Sequence, residues 1–160
     1  MKHYLLLNAL SIALLFGAVE RPSEAANAAP YPLTKVIATS LPFGQLRNSL
    51  EAAIEKGSMY VVTSASASAG AKRRGIDIPG NLFLGVYRND FAVLMLKASV
   101  PSGIEAPLRF YVTENADGTA TLTYREPSAV FRVCGSADID KMATELDAIW
   151  AEIVTGTISK

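Results

Sequence analysis

The stretch Pro107-Leu108-Arg109-Phe110-Tyr111-Val112-Thr113-Glu114-Asn115-Ala116-Asp117-Gly118-Thr119-Ala120-Thr121-Leu122-Thr123-Tyr124-Arg125 decides the fold class. Its period is two. Leu108, Phe110 and Val112 fall on one side of an extended chain, with Arg109, Tyr111 and Thr113 on the other. Asn115-Ala116-Asp117-Gly118 supplies turn chemistry, because Asn, Asp and Gly tolerate the backbone angles a tight reversal needs. The return from Thr119 to Arg125 sets Ala120, Leu122 and Tyr124 against Thr121, Thr123 and Arg125. Two alternating strands around such a turn make an antiparallel hairpin with one apolar and one polar face.

Working outward, Lys35 to Leu41 is a short β-branched run and reads as a strand after an extended lead-in, 29–34. Pro42 opens a helix in which Phe43, Leu46, Leu50, Ala53 and Ile54 share a face, and Gly57 closes it at C′. Met59 to Thr63 reads as a second strand. A short helix capped by Ser66 or Ser68 and stopped by Gly75 follows. Leu82 to Tyr87 is a third strand after the Pro79-Gly80-Asn81 turn. The run Phe91 to Leu96 suits either a helix or a buried strand. Asp90 as N-cap selects a helix with Phe91, Leu94, Met95 and Ala98 on one face, ending at Pro101 and Gly103. Beyond the hairpin, Pro127 ends the strand and Ala129 to Cys134 is a short apolar segment. Ser136 or Asp138 starts a final helix with the stripe Ile139, Met142, Leu146, Ile149, Trp150 and Ile153. Strands and helices alternate without a βαβ repeat. The expected class is therefore α+β, an antiparallel sheet with two main helices packed on one face, in a single domain over 35–156.

The first 28 residues read differently. Leu5 to Val19 is an apolar run of fifteen residues, short of the roughly 20 that a membrane-spanning helix needs, and Glu20 and Arg21 end it. Ser23-Glu24-Ala25 and Ala26-Asn27-Ala28 are small-x-small sites. This is the pattern of a Sec-type signal peptide over 1–28, cleaved after Ala25 or Ala28, and it predicts a periplasmic or secreted protein with no membrane span after cleavage. An uncleaved anchor is the competing reading.

Composition limits the chemistry. The chain has 160 residues, 50% of them hydrophobic, with 15 Lys and Arg against 15 Asp and Glu. A balanced charge gives no field to gather nucleic acid or an anionic membrane. Its single His is His3, inside the predicted signal, and its single Cys is Cys134. The exported chain thus has no Cys/His pair, no His-based triad and no zinc site of the usual type, so neither catalytic residue, metal nor cofactor is expected. Cys134 reads as a small buried residue, an intermolecular bridge or redox-sensitive thiol being the alternative.

Several segments together carry a family resemblance. They are Ser40-Leu41-Pro42-Phe43 before the first helix, Ala71-Lys72-Arg73-Arg74-Gly75-Ile76, Pro79-Gly80-Asn81, and above all Ile104-Glu105-Ala106-Pro107-Leu108-Arg109-Phe110-Tyr111-Val112-Thr113-Glu114. The order resembles the domain of unknown function 302 family over about residues 35 to 155. What the resemblance implies is a compact α+β domain similar to TATA-binding-protein-like folds, commonly homodimeric, in the secreted branch of the family. It carries no reaction and no catalytic residues.

Three constellations are candidates for function. Lys72-Arg73-Arg74 is a dense cationic trio, and Arg73 and Arg74 are the expected anion or carboxylate contacts; a solvated helix end is the bland reading. The polar hairpin face, with Arg109, Tyr111, Thr123 and Arg125, either meets solvent or lines a cavity or dimer groove suited to a small anionic or aromatic molecule. Glu105, Glu114 and Glu126 would need pairing and burial to do acid–base work. Met59, Met95 and Met142 read as core residues; thioether copper binding requires them to converge near solvent. The expected function is an exported homodimeric binding module without catalysis, for a small ligand or a partner protein. The alternatives are an enzyme using Arg109, Tyr111 and a glutamate, or a structural protein acting through its dimer surface.

Overall fold

A computed structural model describes residues 31–159. The predicted signal peptide and residues 29 and 30 of the lead-in lie outside them. The chain runs β1 (Lys35–Pro42), α1 (Phe43–Lys56), β2 (Tyr60–Ala65), α2 (Ala67–Lys72), β3 (Asn81–Tyr87) and α3 (Asn89–Ala98), then a 3-10 turn (Val100–Glu105). It continues through β4 (Leu108–Glu114), β5 (Thr119–Tyr124), α4 (Pro127–Phe131), a 3-10 turn (Arg132–Cys134) and α5 (Ala137–Ile158). The five strands form one sheet in the order β1-β5-β4-β3-β2, and all four pairings are antiparallel. The α+β class and single domain follow.

The expected hairpin forms, and its register sets Tyr111 opposite Thr123 and Val112 opposite Leu122. Leu108, Phe110, Val112, Ala120 and Leu122 turn inward and are buried. Asp117 Oδ1 accepts hydrogen bonds from the Thr119 amide at 3.0 Å and the Thr119 hydroxyl at 2.6 Å, and Gly118 takes φ +83°, so the Asp-Gly pair makes the reversal. Inward residues of β3, Leu82, Leu84 and Val86, extend the same apolar layer.

Helices α1 and α5 pack on each other across this layer. Leu46, Leu50 and Ile54 from α1 meet Ile139, Met142, Leu146, Trp150 and Ile153 from α5 in one buried cluster with the sheet. The i, i+3, i+4 spacing of each set puts it on a single helix face, as expected.

Three local expectations are corrected. Gly57 ends α1, but at φ −73° it is not left-handed; Ser58 is, at φ 56°. Glycine suits position 57 because a Cβ there would lie 3.1 Å from Ile153 Cγ1, so any side chain would press on α5 and require Ile153 to shift. Asp90 does not cap α3. The helix begins at Asn89 with Arg88 as N-cap residue, and Asp90 in the first turn accepts from Arg88 Nε at 2.8 Å. Nor is Leu94 buried: α3 hides Phe91, Ala92 and Met95, and leaves Leu94 50% exposed. Elsewhere boundaries move by a residue or two, with β2 starting at Tyr60 and α2 ending at Lys72 ahead of Gly75.

Candidate functional site

Among the described residues no helix covers the outer face of the sheet. Register aligns Val36, Thr123, Tyr111, Phe83 and Ala65 in one row across all five strands. Arg109 stands one step away opposite Gly85, with its guanidinium 6.0 Å from the Phe83 ring centre. Of the hairpin residues proposed from sequence, Arg109, Tyr111 and Thr123 therefore share this face, and Arg109 and Tyr111 are exposed. Arg125 follows the end of β5 and is also exposed.

A concave site lies at one end of the sheet, where α1 starts, α2 crosses and β4 ends. This cleft holds about 350 Å³, the size of a small-molecule site. Phe43, Ile76, Ile78 and Leu82 form its apolar part, and Arg47, Lys72, Asp77, Glu114, Ser66, Ser68 and Asn81 its polar part.

Sequence explains the local scaffold. Ser66 caps α2 by accepting from the Ala69 amide at 3.0 Å. Asn81 Oδ1 accepts from the Ala67 amide at 2.8 Å, and the Asn81 amide donates to Ser68 Oγ at 3.1 Å, which pins α2 to the start of β3. Glu114 Oε2 accepts from the Gly80 amide at 2.7 Å and so ties the loop after α2 to the end of β4. Gly80 is tightly enclosed, since a Cβ would sit 3.0 Å from both Glu114 Oε2 and Phe43 Cδ1 and would need those side chains to shift. These polar groups already have partners, so they shape the wall. Arg47 donates to Glu51 at 3.0 Å. Lys72, which also lines the cleft, makes no side-chain hydrogen bond or ion pair among the described residues.

The cationic trio divides. Lys72 lines the cleft, whereas Arg73 and Arg74 lie in the exposed turn before Gly75, which takes φ +73°, and neither lines it. The glutamates do not gather with Arg109 and Tyr111. Glu114 is held by Gly80, Glu126 faces Lys35 Nζ at 3.4 Å, and Glu105 ends the 3-10 turn after α3. Phe43, Arg47 and Asn81 were not among the candidate functional residues read from sequence, whereas Lys72 and Glu114, which also line the cleft, were.

Met59, Met95 and Met142 do converge, around a cavity of about 30 Å³ shared with Phe91, Leu108 and Phe131. All three are nearly fully buried, and Arg88 lines the same space. All three belong to the buried apolar core with Phe91, Leu108 and Phe131. Among the described residues no group of three or more His, Cys, Asp and Glu is placed to hold a metal ion. Among them, too, no helix is long and apolar enough to cross a membrane. Shifted pKa values fall outside the cleft. Arg88 holds the Asp90 carboxyl below its ordinary range, and burial pushes the Tyr124 and Cys134 groups up.

Fold and site together define a small α+β domain with one covered and one open sheet face and a cleft at the sheet's end. The chain belongs to a family named for a domain of unknown function, DUF302, whose model matches residues 35–155. A crystal structure of an uncharacterized conserved protein DUF302 from Bacillus stearothermophilus superposes with a TM-score of 0.69. The alignment covers 79% of this chain and 98% of that one at 15% identity, so the likeness is one of fold. No curated protein matches the chain.

Proposed function

We propose that the protein is an exported, homodimeric binding module that holds a small molecule in the cleft and performs no chemistry on it. The carrying observation is the cleft's composition, an apolar wall of Phe43, Ile76, Ile78 and Leu82 beside the Lys72 ammonium, which has no ion-pair partner among the described residues. A ligand with a flat or branched apolar body and one acidic group matches both: the body displaces water from the apolar wall and the acid meets Lys72, with Arg47 alongside. Export rests on the signal-like pattern of 1–28. The absence of chemistry rests on the lone His3 within that segment and on the engagement of Glu114 and Glu126 elsewhere.

The test is thermal shift across aromatic and branched aliphatic carboxylates with the matching amides as controls. A carboxylate that raises Tm in the native chain and not in Lys72→Ala supports the reading. A flat response to every compound, or equal responses to acid and amide, sinks it. Export is tested separately by N-terminal sequencing of the protein recovered from the periplasm or medium, where a start at Ala26 or Ala29 is expected.

A further inference from the structure

The cleft carries both signs of charge. Arg47 and Lys72 are the cations of its lining and Asp77 and Glu114 the carboxylates, so the lining is balanced and sets up no field that favours a net anion. One member of each sign is already engaged. Arg47 donates to Glu51 at 3.0 Å, and Glu114 accepts from the Gly80 amide at 2.7 Å. Lys72 and Asp77 make no side-chain hydrogen bond or ion pair among the described residues, whether with each other or with a third group. Both are exposed, so water solvates them and the fold requires no partner for either.

This remaining pair of opposite charges narrows the choice of ligand. A simple carboxylate that meets Lys72 also brings its negative charge into the cleft that Asp77 lines, and like charges repel. A ligand with a cation beside its carboxylate satisfies both residues. The apolar wall of Phe43, Ile76, Ile78 and Leu82 adds the third requirement, a body that leaves water behind. Asp77 lies between Ile76 and Ile78 in the chain, so a carboxylate and apolar surface arrive together on one short segment. A zwitterionic head with a single apolar branch is the constitution of an α-amino acid with a large aliphatic or aromatic side chain. A peptide terminus fits less well, because each end of a peptide keeps only one of the two charges.

We infer that the cleft takes a free α-amino acid of this kind, its carboxylate on Lys72, its ammonium on Asp77 and its side chain against the wall around Phe43. The inference deepens the proposed function and rests on its assignment of the ligand to the cleft.

Isothermal titration of the full chain with leucine and phenylalanine at neutral pH tests it. Three analogues of leucine serve as probes: its α-hydroxy acid, which replaces the ammonium by a neutral group, leucinamide, which removes the carboxylate, and glycine, which lacks the branch. The native chain is expected to bind leucine about fivefold more tightly than the α-hydroxy acid, the upper reach of a solvent-facing ion pair, and more tightly than leucinamide or glycine. In Asp77→Asn, which keeps the size and removes the charge, leucine and the α-hydroxy acid should bind alike. Lys72→Ala should weaken both, and a thermal melt of each variant checks its folding. Equal binding of leucine and its α-hydroxy acid by the native chain overturns the zwitterion and leaves the acid-binding cleft standing. A preference for leucine that survives in Asp77→Asn overturns the assignment of the ammonium to Asp77, and glycine binding as tightly as leucine overturns the apolar match. Absence of binding by leucine, phenylalanine and the α-hydroxy acid alike overturns this inference together with the cleft reading beneath it.

Discussion

Trp150 of α5 stacks on Phe110 of β4, with ring centres 5.1 Å apart and planes 13° from parallel. This contact joins the long terminal helix to the central hairpin, and both rings are essentially buried. The indole Nε1 has no hydrogen-bond partner among the described residues. Trp150→Ala is therefore expected to cost about 3–5 kcal/mol in urea unfolding. Trp150→Phe should cost clearly less, because it retains an aromatic ring and removes an N–H that is buried unpaired.

Gly85 in β3 is close to contacts from both sides on the open sheet face. A Cβ there would collide with Thr63 Cγ2 and lie 2.9 Å from Pro107 Cγ. Gly85→Ala should lower stability by about 1–3 kcal/mol through overpacking. Combining it with Thr63→Ser, which removes the colliding methyl, should recover part of the loss.

Glu114 holds the cleft's loop through the Gly80 amide. Glu114→Ala should leave global unfolding nearly unchanged while Gly80 loses hydrogen-exchange protection, because only one exposed-side tether is cut. The same variant should weaken any ligand that Lys72→Ala weakens, since the loop carrying Ile76 and Ile78 shapes the apolar wall.

Asp90 is held below the ordinary carboxylate range, first by its hydrogen bond from Arg88 and then by the Phe91 amide and the Arg88 charge. With the folded value depressed, its stabilisation is present above the unfolded value and is lost as pH falls through the folded one. Carboxyl NMR titration should show this depressed midpoint in the native chain and a return toward the ordinary value in Arg88→Ala. The side chain is largely exposed, so the effect on stability is small.

Cys134 has the opposite shift: burial, then Glu105 and Asp140, push its thiol up. Alkylation by iodoacetamide near neutral pH should be slower than for free cysteine, and its pH profile should rise at higher pH. The linked stability is present below the unfolded thiol value and declines as pH climbs toward the folded one.

Where periodicity governed, sequence reading and structure agree. The alternation from Leu108 to Tyr124 survives as the central β4–β5 pair, and the stripe from Ile139 to Ile153 as the inner face of α5. Agreement fails where the decisive neighbour is remote. Gly57 looked like a left-handed cap, but its constraint is Ile153, almost a hundred positions on. Leu94 looked like core because apolar spacing on α3 is satisfied by more than one face, and only packing against α5 and the sheet shows which is covered.

By itself the sequence determined the α+β class, the hairpin and its inward residues, and the face that α1 and α5 bury, since these follow from local alternation of apolar and polar side chains. Tertiary structure alone decided the site. Phe43, Lys72, Gly80 and Glu114 come from four separate segments, and strand order and register bring them around one cleft. It also separated Lys72 from Arg73 and Arg74, because adjacent residues at a helix end point in different directions and only one of them faces the concavity.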